Sequence, residues 1–320
     1  MAPDNDQPDK LNTVFSGGNL LRGSGVRRSA EELQAIVSDG TSRFLPVRNG
    51  NCLIQEQSPA LLEISHIPES QRNTECLTLL GFREGLAVFS VDCPESASLS
   101  IPGDSEFLQG RELIGNMSRE DAHLLAYARA MNNWQNNHRF CGHCGSLNLL
   151  SDAGFLMQCG SDDCDHRSFP RLDPAIIVLV HNGEHCLLGR QQQWPEQRFS
   201  TIAGFAEPGE SLEDTLAREV KEETNISVGD IQYLGSQPWP FPSALMIGFH
   251  AQATSADIAL NDDELAEAGW FTREQLRSGE IVLPPRTSIA FQLIAAWHDK
   301  GSTVKLADVP PGEAFNAPRA

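Results

Sequence analysis

Basic residues are scarce in this 320-residue chain: 24 Lys and Arg stand against 43 Asp and Glu, a net charge of −19. A protein that binds mainly along nucleic-acid phosphates needs a basic surface, so this balance argues against that role. It leaves room for a small basic pocket around one phosphorylated ligand. Long apolar runs are missing as well. The longest clean one, AIIVLV at residues 175–180, falls far short of the roughly 20 residues a bilayer requires. The opening MAPDNDQPDKLN lacks the basic-then-apolar pattern of a secretory signal. The closing PRA is not a peroxisomal SKL, and no long internal repeat is present. These absences lead to the expectation of a soluble intracellular protein, cytoplasmic by default.

What is there supports about two or three domains, with an apolar share of 40% that suffices for real cores. Residues 1–12 are polar and read as loose, and 13–137 read as a mixed α/β domain. Within it RSAEELQAIV is a short helix, FLPVRNGNCLIQ a hairpin turning at Asn49-Gly50, and CLTLLGFREGLAVFSVD a second strand pair. Ser118 caps a long helix, with Asp121 three residues on. Residues 138–170 form a cysteine-bearing module. From 171 to 300 a second α/β pattern follows: strands at PAIIVLV, HCLLGRQ and ALMIGFHAQA, helices at 211–224 and TSIAFQLIAAWHDK, and a largely helical stretch at 262–278. The tail 301–320, rich in Pro, Gly and Ala, reads as flexible.

Of eight cysteines, four form two close pairs: Cys141-x2-Cys144, fourteen residues, then Cys159-x4-Cys164. Each pair can sit on a tight turn eased by Gly142, Gly145 or Gly160 and aim two sulfurs at one point. Four thiolates so placed make a closed, structural tetrahedral Zn²⁺ site. The second gap is wider than usual, so His166 or His143 remain alternatives to Cys164 as the fourth ligand. Mildly basic flanks at His138, Arg139, Arg167 and Arg171 make a brace at a domain junction the better reading than an RNA-binding ribbon. Cys52, Cys76, Cys93 and Cys186 read as small buried hydrophobes.

The stretch GFAEPGESLEDTLAREVKEETNI, residues 204–226, concentrates carboxylates where one helix should lie, with Ser211 as N-cap and Asp214 three residues later. At about 100° per residue, Leu216 and Val220 fall about 40° and 80° from Leu212, and Glu219 and Glu223 about 20° to either side of it. The two glutamates therefore sit at or within the face to be buried, Glu222 sits beside them, and Arg218 and Lys221 point away. Glu219 and Glu223 repel by a few tenths of a kcal/mol even when exposed. Partly buried, each would cost several kcal/mol unless a cation or a proton neutralised it. Grouped carboxylates suit Mg²⁺ or Mn²⁺, hard ions that also bind phosphates. A solvated charge run is the plain alternative, and the phase of these residues argues against it.

Downstream, QPWPFPSA holds three prolines in five positions and is not expected to be regular structure. Trp239 and Phe241 offer flat faces on which an aromatic ring can stack, or they are core aromatics in a rigid turn.

The acidic stretch resembles the Nudix box. Gly204, Glu210, Arg218, Glu219, Val220, Glu222, Glu223 and Ile226 match it; Asn225 stands where the family has Gly, a mild departure because Asn also tolerates a left-handed helix end. Ser236–Phe249, SQPWPFPSALMIGF, resembles the marker of the NADH pyrophosphatases within that superfamily, and the cysteine module before the box fits the same architecture. The resemblance is sharp over about residues 107–298. One departure is Ala244, where many members carry Ser.

The resemblance implies an α/β (α+β) protein: a Nudix α/β/α sandwich with a mixed sheet at 171–300, preceded by a small zinc ribbon at 138–170 and an N-terminal α/β domain at 13–137. It implies metal-dependent hydrolysis of NAD(H) to NMN(H) and AMP, and removal of NAD caps from RNA 5′ ends. Glu219, Glu223 and Glu264, with the Ala203 carbonyl, are implied as Mg²⁺ or Mn²⁺ ligands, Glu222 as a ligand or general base, and Arg218 as a residue that orients carboxylates. Glu264 on its own would read as a surface helix residue. Substrate contacts are implied at Phe169, Gln237, Pro238, Trp239, Pro240, Phe241, Pro242, Ser243, Ala244 and Ala290, with Arg111 reaching in from the N-terminal part. A homodimer is implied too. The competing readings are a Nudix hydrolase preferring ADP-ribose or dinucleoside polyphosphates, for which Ala244 leaves room, and a non-enzymatic zinc-ribbon RNA-binding protein.

Overall fold

The computed structural model describes residues 11, 13–97, 99, 101, 103–111, 113–261, 264–300 and 302–310. The N-terminal positions expected to be loose, apart from 11, and tail positions 311–320 lie outside them. The chain divides into two compact units, residues 14–172 with 238–243, and residues 1–13 with 173–237 and 244–320.

In the first unit, Ser29 caps helix α1 (Ala30–Ser38). Strands β1 (Arg43–Arg48) and β2 (Asn51–Gln55) form the expected hairpin, pairing Val47 with Cys52 across a turn in which Asn49 and Gly50 take positive φ. After β3 (Ser58–Pro59) come the hairpin strands β4 (Leu77–Arg83) and β5 (Leu86–Asp92), then β6 (Glu106–Leu108) and the long helix α2 (Arg119–Asn137). The sheet runs β3-β2-β1-β5-β4, with β6 on β2 and β1 parallel to β5. Its strands are apolar on both faces. Phe44 and Leu53 pack with Leu33 and Val37 of α1, whereas Leu45, Val47 and Cys52 pack with Leu124, Leu125 and Ala128 of α2. That split follows from the two-residue period of a strand. Strands β7 (Asn148–Ser151), β8 (Leu156–Cys159) and β9 (Arg167–Ser168) make a separate three-stranded sheet around the paired cysteines.

The second unit is built on β10 (Asp173–His181), which pairs with β14 (Ala244–Ala253) in parallel over its whole length, and with β11 (His185–Gln191) and β12 (Ile202–Phe205) antiparallel. With β13 (Val228–Trp239) and β15 (Leu265–Thr272) the order is β13-β14-β10-β11-β15, β12 lying on β10. Along β10, Ile176, Val178 and Val180 face Leu216 and Val220 of α3 (Leu212–Thr224), while Ile177 and Leu179 face α5 (Ile289–Asp299). The result is a mixed sheet between helices, the α/β/α sandwich.

Three expectations are corrected. Among the described residues of 262–278, Leu265–Thr272 is strand: β15 pairs with β11 from His185↔Thr272 to Gln191↔Leu265, and only α4 (Arg273–Ser278) is helical. Local Ala and Glu favour helix, but a free sheet edge and the run Trp270-Phe271-Thr272 prevail. The Pro-rich stretch is partly regular, since β13 runs through Pro238 to Trp239. It is an edge strand, where proline's missing N–H costs no interior ladder bond. Finally, the tail is not loose throughout. Leu306 is 2% exposed in the core beside Trp297, and its N–H donates to Asp299 Oδ1 at 2.9 Å.

Candidate active site

Helix α3 starts on a capping box: Asp214 N–H donates to Ser211 Oγ (3.1 Å) and Ser211 N–H to Asp214 Oδ2 (3.2 Å). It ends at Asn225, which takes the left-handed C-cap conformation (φ 64°), while Lys221 Nζ donates to the Asn225 carbonyl at 2.8 Å. With both ends fixed, the helix phase decides which acids are covered. Glu223 is 5% exposed and the Glu219 side chain 14%, whereas the Glu222 side chain remains 56% exposed.

Arg218 does not point away from these acids. Its guanidinium lies among them. Nε and Nη2 fork onto the two oxygens of Glu210 at 2.6 and 2.9 Å, and Nη1 reaches Glu219 (2.9 Å) and Glu222 (3.1 Å). Nη2 also donates to the Phe205 carbonyl at 3.1 Å, tying helix to strand. A wheel places only the Cα–Cβ direction; the long side chain curls back to the charges. Glu210 accepts further bonds from Thr215 Oγ1 and Glu207 N–H. Arg218 above all holds its carboxyl down at about 2, and the same contacts raise the arginine. Glu219 moves the other way. Burial raises it, Arg218 partly offsets this, and the charges of Glu222 and Glu264 add to the rise. Glu264 thus lies close enough to be felt, immediately before β15 rather than on a helix.

Strand β12 brings Ala203 and Gly204 beneath α3, in register with Ile177 and Ile176 of β10. A Cβ on Gly204 would overlap the Glu219 carboxyl group, so only glycine lets that carboxylate lie against the strand. Glu219, Glu222, Glu223, Glu264 and Ala203 all belong to this unit. The donors are all oxygen, Glu223 is buried, and Arg218 pairs with two of the others, Glu219 and Glu222. Such a set fits a hard divalent cation.

Gln237, Ala244 and Ala290 belong to the same unit. Gln237 is buried and donates to the Thr287 carbonyl while accepting from Ile289 N–H, so its amide organises the start of α5, where Ala290 is also buried. Ala244 opens β14. Pro238, Trp239, Pro240, Phe241, Pro242 and Ser243 belong to the other unit, together with Arg111 and Phe169. There Trp239 and Phe241 cross edge to face at 5.3 Å and pack on Phe15. Arg111 stands over both rings, 5.1 and 5.6 Å from their centroids, and Phe169 is 56% exposed. Arg129 of α2 also contacts this turn; no motif marks it in the sequence, because its partner is 111 residues away.

The sulfurs of Cys141, Cys144, Cys159 and Cys164 all lie within 4.8 Å of one another, with Cys141–Cys164 at 3.9 Å and Cys144–Cys159 at 3.4 Å. Tetrahedral zinc with Zn–S bonds of about 2.3 Å needs sulfurs about 3.8 Å apart. Cys164 therefore completes the set; His143 and His166 stack on each other 6.2 Å apart. Of the scattered thiols, Cys52, Cys93 and Cys186 are buried, and burial raises each to about 12. Cys76 is exposed, contrary to expectation, on the short helical turn Thr74–Cys76 ahead of β4.

Residues 171–295 match the NUDIX domain, 136–169 the NADH pyrophosphatase zinc ribbon domain, and 41–134 the NADH pyrophosphatase-like rudimentary NUDIX domain. The chain is 37% identical over 255 residues to the NAD-capped RNA hydrolase NudC of Pseudomonas putida (strain GB-1), covering 79% of this chain and 89% of that one. It is 40% identical over 215 residues to NudC of Mycobacterium bovis (strain BCG / Pasteur 1173P2), covering 63% and 67%. To the Homo sapiens NAD-capped RNA hydrolase NUDT12 it is 39% identical over 196 residues, covering 57% of this chain but only 42% of that longer protein. The assembled box, the four-cysteine ribbon and these matches place the chain in the NADH pyrophosphatase family of Nudix hydrolases.

Proposed function

We propose that the protein hydrolyses the diphosphate bond of NAD(H), releasing NMN(H) and AMP, and acts on the same bond where NAD caps an RNA 5′ end. The observation that carries this reading is the grouping of Glu210, Glu219 and Glu222 around Arg218, with the Glu219 carboxylate against Gly204 of β12, in a chain similar to proteins named as NAD-capped RNA hydrolases.

Glu219, Glu222, Glu223, Glu264 and the Ala203 carbonyl would hold Mg²⁺ or Mn²⁺. When bound, such ions neutralise the diphosphate charge and acidify water. The chain's own part is positional. Arg218 fixes Glu219 and Glu222 in one arrangement, so little reorganisation remains when substrate arrives. Glu222, the exposed member of the group, is the carboxylate free to act as general base as well as ligand. In the other unit, Trp239 and Phe241 present rings for stacking on nicotinamide or adenine, and Phe169 offers a further exposed ring. Arg111 supplies a cation over the first two rings without making the surface basic overall. Pro238, Pro240, Pro242 and Ser243 shape this turn; Gln237 and Ala244 border it along the chain and, like Ala290, belong to the sandwich unit. Zn²⁺ on the four cysteines has a structural role. The working form is a homodimer in the cytoplasm; among the described residues no helix is long and apolar enough to cross a membrane.

Incubation of the pure protein with NADH, NAD⁺, ADP-ribose, a dinucleoside polyphosphate and NAD-capped RNA, each with Mg²⁺ or Mn²⁺, tests this reading. NMN(H) and AMP released from NADH, and NMN with 5′-monophosphate RNA from the capped transcript, are expected. Cleavage of ADP-ribose or the polyphosphate at far higher kcat/KM would replace the substrate assignment. RNA binding without hydrolysis of any of these would refute the enzyme reading.

A further inference from the structure

The turn with the stacking rings is held by a residue of α2. Arg129 Nε donates to the Pro240 carbonyl at 2.7 Å, between Trp239 and Phe241, and Nη1 donates to the Gly50 carbonyl in the β1–β2 turn. Its guanidinium carbon lies 4.8 Å from the centre of the Phe241 ring. Gly50 is itself fixed: its N–H donates to Asn132 Oδ1 (3.1 Å), and Asn132 Nδ2 donates to Asp92 Oδ1 (2.8 Å). One guanidinium thus ties the Pro240 backbone to a hairpin already anchored on α2 and β5. The ion pairs among the described residues do not use Arg129, so its role here is to orient carbonyls. Below it, Phe15, Ile114, Ala122 and Ala126 form a small buried cluster on which Trp239 and Phe241 rest.

We propose that Arg129 is the positioning residue of the recognition turn, so that the N-terminal unit sets the pose of the two stacking rings and thereby affinity for the substrate's aromatic bases. This rests on the reading of Trp239 and Phe241 as base-stacking residues given above. A planar guanidinium can bond two carbonyls in different directions and cover a ring at once; a lysine ammonium serves one point and stacks poorly. Loss of the pair of bonds frees the Pro240 backbone and lets the rings sample orientations that do not stack. Binding shared by ground and transition state is what then weakens, so KM should move more than kcat.

The test compares Arg129→Met and Arg129→Lys with Phe241→Ala, using NADH and a minimal diphosphate carrying two riboses and no base. Arg129→Met should raise KM for NADH roughly ten-fold, the equivalent of one hydrogen bond to a charged group, while kcat/KM for the base-free diphosphate stays at the wild-type value. Arg129→Lys should recover part of the loss. Combining Arg129→Met with Phe241→Ala should cost less than the product of the single effects, because both act through one ring. If Phe241→Ala raises KM for NADH and Arg129→Met does not, the positioning role is refuted while the stacking reading stands. If Phe241→Ala itself leaves KM for NADH unchanged, both fall. Equal losses on NADH and the base-free diphosphate would reduce Arg129 to general structural support and also overturn the proposal. Should Arg129→Met fail to fold, Arg129→Lys decides on the same comparison.

Discussion

Replacing Gly204 by alanine tests the site with one methyl group. Its backbone is not in the left-handed region, so the substitution carries no φ penalty. The added Cβ, however, would coincide with the Glu219 carboxyl group, which Arg218 holds from the other side at 2.9 Å. Ordinary contact needs about 3.5–4 Å between heavy atoms, so the carboxylate must retreat by roughly 1–2 Å. Overpacking of this kind costs about 1–3 kcal/mol of stability. A misplacement of roughly 1 Å in a reacting site costs about 100-fold in rate. Gly204→Ala should therefore remain folded while kcat for NADH falls about 100-fold and manganese affinity, followed by calorimetric titration, weakens. Gly115→Ala, where a Cβ meets nothing within 4 Å, is the control and should behave as wild type. A Gly204→Ala protein with wild-type kcat and wild-type manganese affinity would show that the position of Glu219 against this strand is irrelevant.

Arg218→Met frees Glu210, Glu219 and Glu222 together, and kcat should fall by about 10²–10³; Arg218→Lys should restore little, since one ammonium cannot fork onto Glu210 and also reach the other acids. Cys144→Ser should abolish stoichiometric zinc, measured by elemental analysis, and lower the melting temperature; unchanged melting would refute the structural role of the ribbon. His250 adds a pH dependence. Burial, with smaller contributions from His181 and Lys300, lowers it from 6.5 to about 4 against a raising bond to the Leu293 carbonyl. The folded protein keeps it neutral while the unfolded chain protonates near 6.5, so its contribution is intact above that pH and is lost as pH falls towards 4. Urea titrations should show roughly 2 kcal/mol less stability at pH 5 than at pH 7 from this group, and His250→Gln should flatten that difference.

Much of this arrangement was legible in the residues. The spacing of the box fixes which acids share a helix, Ser211 and Asn225 mark its ends, and alternating apolar residues along β10 supply both faces of the sandwich. Asn49-Gly50 marks its hairpin by backbone chemistry alone. What escaped depends on reach or on partners distant in sequence. The wheel angle of Arg218 says nothing of where a flexible side chain ends. Residues 265–272 carry helix-favouring Leu, Ala and Glu, and become strand only because β11 offers an edge. Arg129 sits in an unremarkable stretch of α2, and its importance exists only once Pro240 arrives beside it. Leu306 stands in a Pro- and Gly-rich tail, and its burial follows only from the apolar cluster that it joins with Trp297.

Titration with manganese, read by electron paramagnetic resonance, addresses the central claim most directly. Wild-type protein should bind Mn²⁺ and hydrolyse NADH; Glu222→Gln and Glu223→Gln, each folded and each still carrying zinc, should lose Mn²⁺ affinity and NADH hydrolysis together. Wild-type Mn²⁺ binding and turnover in both variants would contradict the assignment of these acids as a metal-holding group.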